Sequence, residues 1–133
     1  MFPGKARSIL IYLDTHVAAW LYAGLLQNIS NPAADLINRH DIFISPVVRL
    51  ELRYLFEIQR ITVEPDVVVH NLSEMIGLRI CEKPFNTVVS GAFNLSWTRD
   101  PFDRIIVATA ALKSNVLVTK DQHILANYDH AAW

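Results

Sequence analysis

Short runs of apolar, mostly β-branched residues alternate along the chain with longer segments of helical periodicity. The runs are apolar at consecutive positions, which is typical of strands that helices cover on both faces. They lie at residues 9–13, 41–44, 78–81 and 116–119, with a weaker one near the C-terminus. This alternation predicts an α/β fold with three layers, α/β/α, in which helices flank a central, mostly parallel sheet.

Proline marks several helix starts. In four places a residue that is able to cap a helix precedes a proline at the first helical position. These pairs are Asn31-Pro32, Ser45-Pro46, Glu64-Pro65 and Asp100-Pro101. They predict helices over residues 32–39, 46–59, 65–77 and 101–114, and periodicity adds helices over residues 16–26 and 87–95.

The length of the chain predicts one domain. With 133 residues, 52% of them hydrophobic, it can bury one core but not two. We therefore expect a single domain over residues 1–133, with residues 1–7 as a loose N-terminal lead-in. Charged residues make up 19% of the chain, below the roughly 25% that is usual, which suggests that another chain covers part of the apolar surface.

Charge and cysteine content restrict the setting. The net charge of −1 provides no global positive field for nucleic acid, so phosphate contacts would need a local patch or bound cations. The single cysteine, Cys81, reads as a buried strand thiol and fits a reducing cytoplasm. Residues 15–34 lack charged side chains, but polar residues interrupt the apolar run well short of the ~20 that a membrane span needs. The start also lacks the order of a signal peptide.

Two aspartates follow strands. Asp14 comes directly after residues 9–13, and Asp121 comes one lysine after residues 116–119. Ligands of open parallel sheets bind beyond the carboxyl ends of the strands, so we expect both carboxylates at one edge. Aspartate is also a common helix N-cap, and the sequence leaves both roles open.

Glu51 lies on the apolar face of its predicted helix. Its neighbours three and four residues away are Val47, Val48, Tyr54 and Leu55. No lysine or arginine is spaced to neutralise it, and an unpaired buried carboxylate is costly unless it binds a cation or shifts its pKa. The alternative is a glutamate at the helix edge that reaches water.

Two further carboxylates begin the helix predicted over residues 101–114. Asp100 is explained as its N-cap, whereas Asp103 has Ile106 and Val107 three and four residues away and so faces the covered side. Several acids at one crevice raise one another's pKa unless a cation lies among them. Carboxylate oxygens suit Mg²⁺ or Mn²⁺, and no Cys/His cluster has the spacing of a zinc site.

Four segments together resemble the PIN-domain ribonucleases, and most closely the VapC-like toxins of type II toxin–antitoxin pairs. They are residues 12–16, 45–52, 99–110 and 117–121. The resemblance implies a PIN-like domain whose catalytic metal ligands are Asp14, Glu51, Asp103 and Asp121, with Asp100 as an alternate ligand. Residues 129–133 are less β-branched than the closing strand of that family, which leaves the pairing of this segment open.

The resemblance also implies the reaction and the partners. A water activated by Mg²⁺ or Mn²⁺ would hydrolyse RNA phosphodiester bonds. Arg99, Arg104 and Lys120 flank the acids and could guide the RNA backbone, although each could equally be a surface charge. VapC-like proteins form homodimers and bind an antitoxin protein.

The helix over residues 16–26 is apolar around much of its circumference, which predicts a subunit interface. The candidate interface residues are Val17, Trp20, Leu21, Tyr22, Leu25, Leu52, Phe56, Val68 and Val69.

Two other functions compete with the nuclease. A phosphotransfer domain also places an aspartate after a parallel strand, but the second aspartate or the acidic pair that such domains need is missing around Asp14. A catalytically inactive PIN-like module that binds RNA or protein would need only some of the acids, and it remains the alternative.

Overall fold

The strands form where apolar side chains are buried on both faces of an extended segment. A computed structural model describes residues 6–133. Its strands are β1 (Ala6–Leu13), β2 (His40–Ile44), β3 (Arg79–Ile80), β4 (Val116–Val118) and β5 (Ala131–Ala132). Its helices are α1 (Thr15–Ala23), α2 (Asn31–Arg39), α3 (Pro46–Glu57), α4 (Pro65–Ile76), α5 (Phe85–Ala92), α6 (Pro101–Ala111) and α7 (Gln122–Asn127), with a 3₁₀ turn at Leu26–Asn28.

The sheet has the order β3-β2-β1-β4-β5, and its pairings are parallel. The consecutive residues Ile11, Tyr12 and Leu13 of the central strand are at most 2% exposed, so both faces of the sheet are covered. Helices α1, α3 and α4 pack against one another, and α5 packs against α6. The predicted α/β/α fold with a mostly parallel sheet is confirmed.

The chain order reverses at β1. From this strand the sheet continues to β2 and β3 on one side and to β4 and β5 on the other. A crevice therefore opens between the carboxyl ends of β1 and β4, where connections leave in opposite directions. This is the topological switch point of the sheet, and it lies between the two strands that precede Asp14 and Asp121.

The predicted caps are partly right. Ser45 caps α3 and Asp100 caps α6 through their side chains, as expected. At α2, however, the cap is Ser30, whose hydroxyl accepts from the N–H of Ala33, and Asn31 is already helical. Glu64 precedes α4 but makes no capping hydrogen bond, because its carboxylate pairs with Arg53 at 2.9 Å.

Several boundaries differ from those predicted. Helix α1 ends at Ala23 rather than near residue 26, because Gly24 adopts the left-handed conformation with φ 73° and its N–H closes the helix. Gly77, with φ 71°, ends α4 in the same way. Helix α7 was not predicted, whereas the weak C-terminal strand is present as β5 and pairs with β4.

The N-terminal lead-in predicted over residues 1–7 extends too far along the chain. Strand β1 begins at Ala6, so residues 6 and 7 belong to the sheet. Residues 1–5 of the expected lead-in lie outside the described residues. Cys81 is buried as predicted, at 5% exposure, and its sulfur accepts a hydrogen bond from the hydroxyl of Tyr12 at 3.2 Å.

The core absorbs part of the surface that was expected to contact another chain. Val17, Leu52 and Val68 are at most 1% exposed within the monomer. Their apolar stripes face the sheet and the neighbouring helices, so these three residues are not interface candidates. Among residues 6–133, no helix combines the length and the hydropathy that crossing a membrane requires.

Candidate active site

Asp14 links the two strands of the switch point. Its backbone N–H donates to the carbonyl of Val118 in β4 at 3.0 Å. Its carboxylate is 8% exposed and accepts from the N–H of Thr15 at 2.8 Å and from the hydroxyl of Thr119 at 2.6 Å. Asp14 is thus the N-cap of α1 and also a buried carboxylate at the crevice, so the two roles that the sequence left open coexist.

Glu51 reaches the same crevice from α3. Its neighbours Val48, Leu52 and Leu55 are buried, which confirms that it lies beside the apolar face of the helix. The side chain is partly buried and accepts a hydrogen bond from the hydroxyl of Thr15 at 2.5 Å. Among the side chains of residues 9–133, no lysine or arginine forms an ion pair with Glu51, and the hydroxyl of Thr15 is the group that donates to its carboxylate.

Asp100 and Asp103 come from the start of α6. One oxygen of Asp100 accepts from the N–H groups of Phe102 and Asp103, at 2.8 and 3.4 Å. Asp103 lies in the first turn and is partly buried. The position of Asp100 is therefore explained by its role as the N-cap of α6. The side chain of Asp103 does not cap the helix, so its carboxylate is available at the crevice.

Asp121 is exposed and caps α7. It accepts from the N–H groups of His123 and Ile124, at 2.8 and 3.1 Å. Its own N–H donates to the hydroxyl oxygen of Thr119 at 3.0 Å, and Thr119 donates to Asp14. A buried threonine thus bridges the two aspartates that follow β1 and β4.

The structure brings all the predicted acids to one cavity of about 380 Å³. Its lining residues are Asp14, His16, Val17, Trp20, Glu51, Asp100, Asp103, Lys120 and Asp121. Of the three basic residues considered for RNA contact, Lys120 lines this cavity, and its ammonium lies 5.8 Å from the centre of the Trp20 ring. Arg99 and Arg104 lie outside the lining, where Arg104 donates to the carbonyl of Thr98 at 2.9 Å.

The acids raise one another's pKa. Burial raises the pKa of Asp14 and of Glu51 above the usual carboxyl values, and their threonine donors oppose the shift. Burial, followed by the charges of Asp100, Asp14, Asp121 and Glu51, raises the pKa of Asp103 to about 7. Burial and the negative charge of the crevice thus disfavour ionisation of its own carboxyl groups.

The donor chemistry of the cavity fits a hard divalent cation. Its ligands would be carboxylate oxygens, and each oxygen that accepts one hydrogen bond keeps a further lone pair. Within the described part of the chain, no three histidine, cysteine or acidic side chains are already gathered into a coordination group. Five carboxylate side chains nevertheless line the cavity, so the residues that would hold a cation are Asp14, Glu51, Asp100, Asp103 and Asp121.

Comparison with known proteins identifies the family. The family model for the PIN domain matches residues 11–131. The chain belongs to the PIN domain family. This PIN domain is 31% identical over 117 residues to the protein named ribonuclease VapC22 of Mycobacterium tuberculosis, a match that covers 86% of this chain and 88% of the relative.

Solved structures agree on the PIN fold. VapBC2 from Rickettsia felis, bound to a DNA fragment from its promoter, matches with a TM-score of 0.64 and 15% identity over 92% of this chain and 96% of that one. A toxin–antitoxin complex from Klebsiella pneumoniae matches with a TM-score of 0.61 and 16% identity, again over 92% and 96%. These matches confirm the fold, and the family model confirms the expected resemblance to PIN domains.

Sequence reasoning assigned no role to two threonines of this PIN domain. Thr15 and Thr119 are fully buried, and each donates to one of the predicted acids. A signal was available, because Thr15 directly follows Asp14 and Thr119 lies two residues before Asp121. His16 also lines the cavity, and its ring centre lies 6.2 Å from that of Trp20.

Proposed function

We propose that this PIN domain is a Mg²⁺- or Mn²⁺-dependent ribonuclease, the toxin component of a type II toxin–antitoxin pair. The observation that carries the proposal is the meeting of Asp14, Glu51, Asp103 and Asp121 around one cavity at the switch point of the sheet. Similarity to a protein named as a ribonuclease supports the same reaction. A cavity with this concentration of acid has an evident use only when a cation occupies it.

Four of the acids share one role in the proposed site. Asp14, Glu51, Asp103 and Asp121 would hold the cation, with Asp100 as an alternate ligand because one of its oxygens is free of the cap. The bound ion would activate a water and neutralise charge on the scissile phosphate. Thr15 and Thr119 keep the carboxylates of Glu51 and Asp14 turned toward the crevice.

Lys120 is the proposed contact to the RNA backbone within the cavity. Its ammonium is a positive charge on a cavity that five carboxylates line, and it lies over the Trp20 ring. Ammonium groups bind phosphate oxygens as point charges, so this position suits a backbone phosphate next to the scissile bond. Arg99 and Arg104 remain proposed contacts with backbone phosphates farther along the RNA.

A cleavage assay tests the reaction. Defined single-stranded and structured RNAs would be incubated with the protein in MgCl₂ or MnCl₂, with and without EDTA. We expect cleavage that EDTA abolishes and that Asp14→Asn abolishes in the presence of metal. Asp35→Asn, which changes an exposed acid paired with Arg39 outside the cavity, is the matched control and should cleave like the unchanged protein.

The inactive-module alternative makes the opposite prediction. Such a protein would bind RNA or protein with no cleavage under either metal, and Asp14→Asn would leave binding unchanged. Metal-independent cleavage, or full cleavage by Asp14→Asn, would contradict the proposed site.

The proposed partners are a second copy of the chain and an antitoxin protein, and the proposed location is the cytoplasm. The solved relatives include a complex named as toxin–antitoxin and others named VapBC. Trp20, Leu21, Tyr22, Phe56 and Val69 keep partly exposed apolar surface that a partner would cover. Leu25, at 38% exposure, extends the same surface beyond α1.

A further inference from the structure

Two buried hydroxyl groups join α3 to α6. The Oγ of Ser45 and the Oγ1 of Thr109 lie 3.1 Å apart, and both residues are 1% exposed. Ser45 is the N-cap of α3 and accepts from the N–H of Val47 at 3.3 Å, while Thr109 lies 2.6 Å from the carbonyl of Ile105. The pair is therefore part of a chain of hydrogen bonds that runs from one helix to the other.

The chain has one consistent direction. Thr109 has a single hydroxyl proton, and the carbonyl of Ile105 can only accept, so the short contact uses that proton. Ser45 then donates its own proton to Thr109 while it accepts from Val47. The result is a continuous relay from the backbone N–H of Val47, through both hydroxyls, to the backbone carbonyl of Ile105.

The ends of this relay lie close to two of the acids. Val47 is four residues before Glu51, one helical turn away on α3, and Ile105 is two residues after Asp103 on α6. Lys83 makes a further contact with α6 at Thr109. Its ammonium donates to the carbonyl of Thr109 and to the side chain of Asn115, both at 2.7 Å. An apolar contact would allow the helices to slide, whereas directional hydrogen bonds fix their separation.

We propose that Ser45 and Thr109 are positioning residues that set the separation of Glu51 and Asp103 for the divalent cation. This inference rests on the proposed function, since it concerns the metal site of the same cavity. The hydroxyl pair lies outside the cavity and would fix the relative position of α3 and α6. These two helices supply Glu51 and Asp103, two of the four proposed ligands. Removal of a hydrogen bond made directly to a metal ligand typically weakens metal binding about 10- to 100-fold. Ser45 and Thr109 act one step farther away, through the helices, so the lower end of that range is expected.

The test is a calorimetric titration, in which the heat of Mn²⁺ binding is measured as MnCl₂ is added to the purified protein. Thr109→Val keeps the shape of the side chain and removes the hydroxyl, and we expect about 10-fold weaker Mn²⁺ binding. Thr109→Ser restores the hydroxyl and should return the affinity to within about twofold of the unchanged protein. If Thr109→Val fails to fold, Ser45→Ala breaks the same contact from α3 and should show the same weakening.

A matched control separates positioning from simple loss of stability. Ile106→Val removes one methylene group from the buried face of α6 and lowers the melting temperature without touching the relay. It should leave Mn²⁺ affinity unchanged. Equal affinity in Thr109→Val and the unchanged protein would overturn this inference alone, whereas no saturable Mn²⁺ binding by the unchanged protein would overturn the proposed function and this inference with it.

Discussion

At the scale of single residues, burial of Asp103 at the crevice raises the pKa of its carboxyl group. It makes no capping bond, and four other carboxylates contribute to its raised pKa. Asp103→Asn removes one negative charge from this group, so we expect a higher melting temperature in EDTA at pH 8 and a loss of cleavage on the order of 100-fold or more. Thermal denaturation and the RNA assay measure the two effects, and a lower melting temperature would assign Asp103 a structural role.

The same carboxyl group makes stability depend on pH. Because the pKa of Asp103 is raised to about 7, the folded protein binds more protons than the unfolded chain between about pH 4 and pH 7. The free energy of unfolding in EDTA should therefore decrease as pH rises through this window. Raised pKa values of Asp14 and Glu51 act in the same direction.

Manganese should oppose that trend. Cation binding displaces protons from the carboxyl groups, so Mn²⁺ should stabilise the protein more at pH 8 than at pH 5. Melting curves at several pH values, with EDTA and with MnCl₂, test both statements. The Asp103→Asn variant should have a shallower pH slope in EDTA, and an unchanged slope would show that another group titrates.

The acids were predictable one by one, and the two threonines stand beside predicted acids in the sequence, but the acid that each hydroxyl contacts was not predictable. Asp14 and Asp121 follow strands, and strand ends of a parallel sheet share an edge whatever the rest of the fold does. Thr15 donates to Glu51 across 36 positions of sequence, and no local pattern encodes that contact. Sequence also could not tell whether Asp14 caps a helix or faces a crevice, because the geometry lets it do both.

At the scale of elements, burial raises the pKa of Glu51, and the contact of α1 with α3 modifies that shift. The hydroxyl of Thr15 opposes the rise in the pKa of that carboxyl group. Thr15→Val removes the donor and should raise this pKa further, which moves the pH at which metal binds half-maximally to a higher value. Thr15→Ser should keep the normal profile, and an unchanged profile in Thr15→Val would exclude this control.

Helix starts followed from sequence more reliably than helix ends. Proline at the first helical position correctly located α3, α4 and α6. The ends depend on where a left-handed residue such as Gly24 closes the last turn. Apolar residues continue the helical period beyond Gly24, so the sequence predicts a longer helix than the structure has. Helix α7 was missed because it has only six residues and its cap, Asp121, was interpreted as a ligand.

At the scale of the whole molecule, the partly exposed surface of α1 and α3 predicts association. We expect sedimentation at micromolar concentration to show a species of about twice the 15.1 kDa chain mass. Phe56→Glu should dissociate it, as should Trp20→Glu, although Trp20 also lines the cavity and its variant can change activity directly. Met75→Glu, at an exposed position of α4, is the matched control.

A monomer in the unchanged protein would contradict the homodimer, and dissociation by Met75→Glu would place the interface elsewhere. Composition predicts association, but it does not say which apolar residues the monomer itself buries. Leu52 and Val68 read like interface residues in the sequence, yet tertiary packing buries them between α3, α4 and the sheet.

The hydrogen bond between Thr119 and Asp14 joins residues 105 positions apart, and this separation has a consequence for synthesis of the protein. The crevice needs β4 beside β1, and β4 follows Asp14, Glu51 and Asp103 along the chain. A nascent chain that already contains these three acids therefore has no complete site until β4 has emerged from the ribosome and paired with β1. We expect such a chain to lack the proposed nuclease activity.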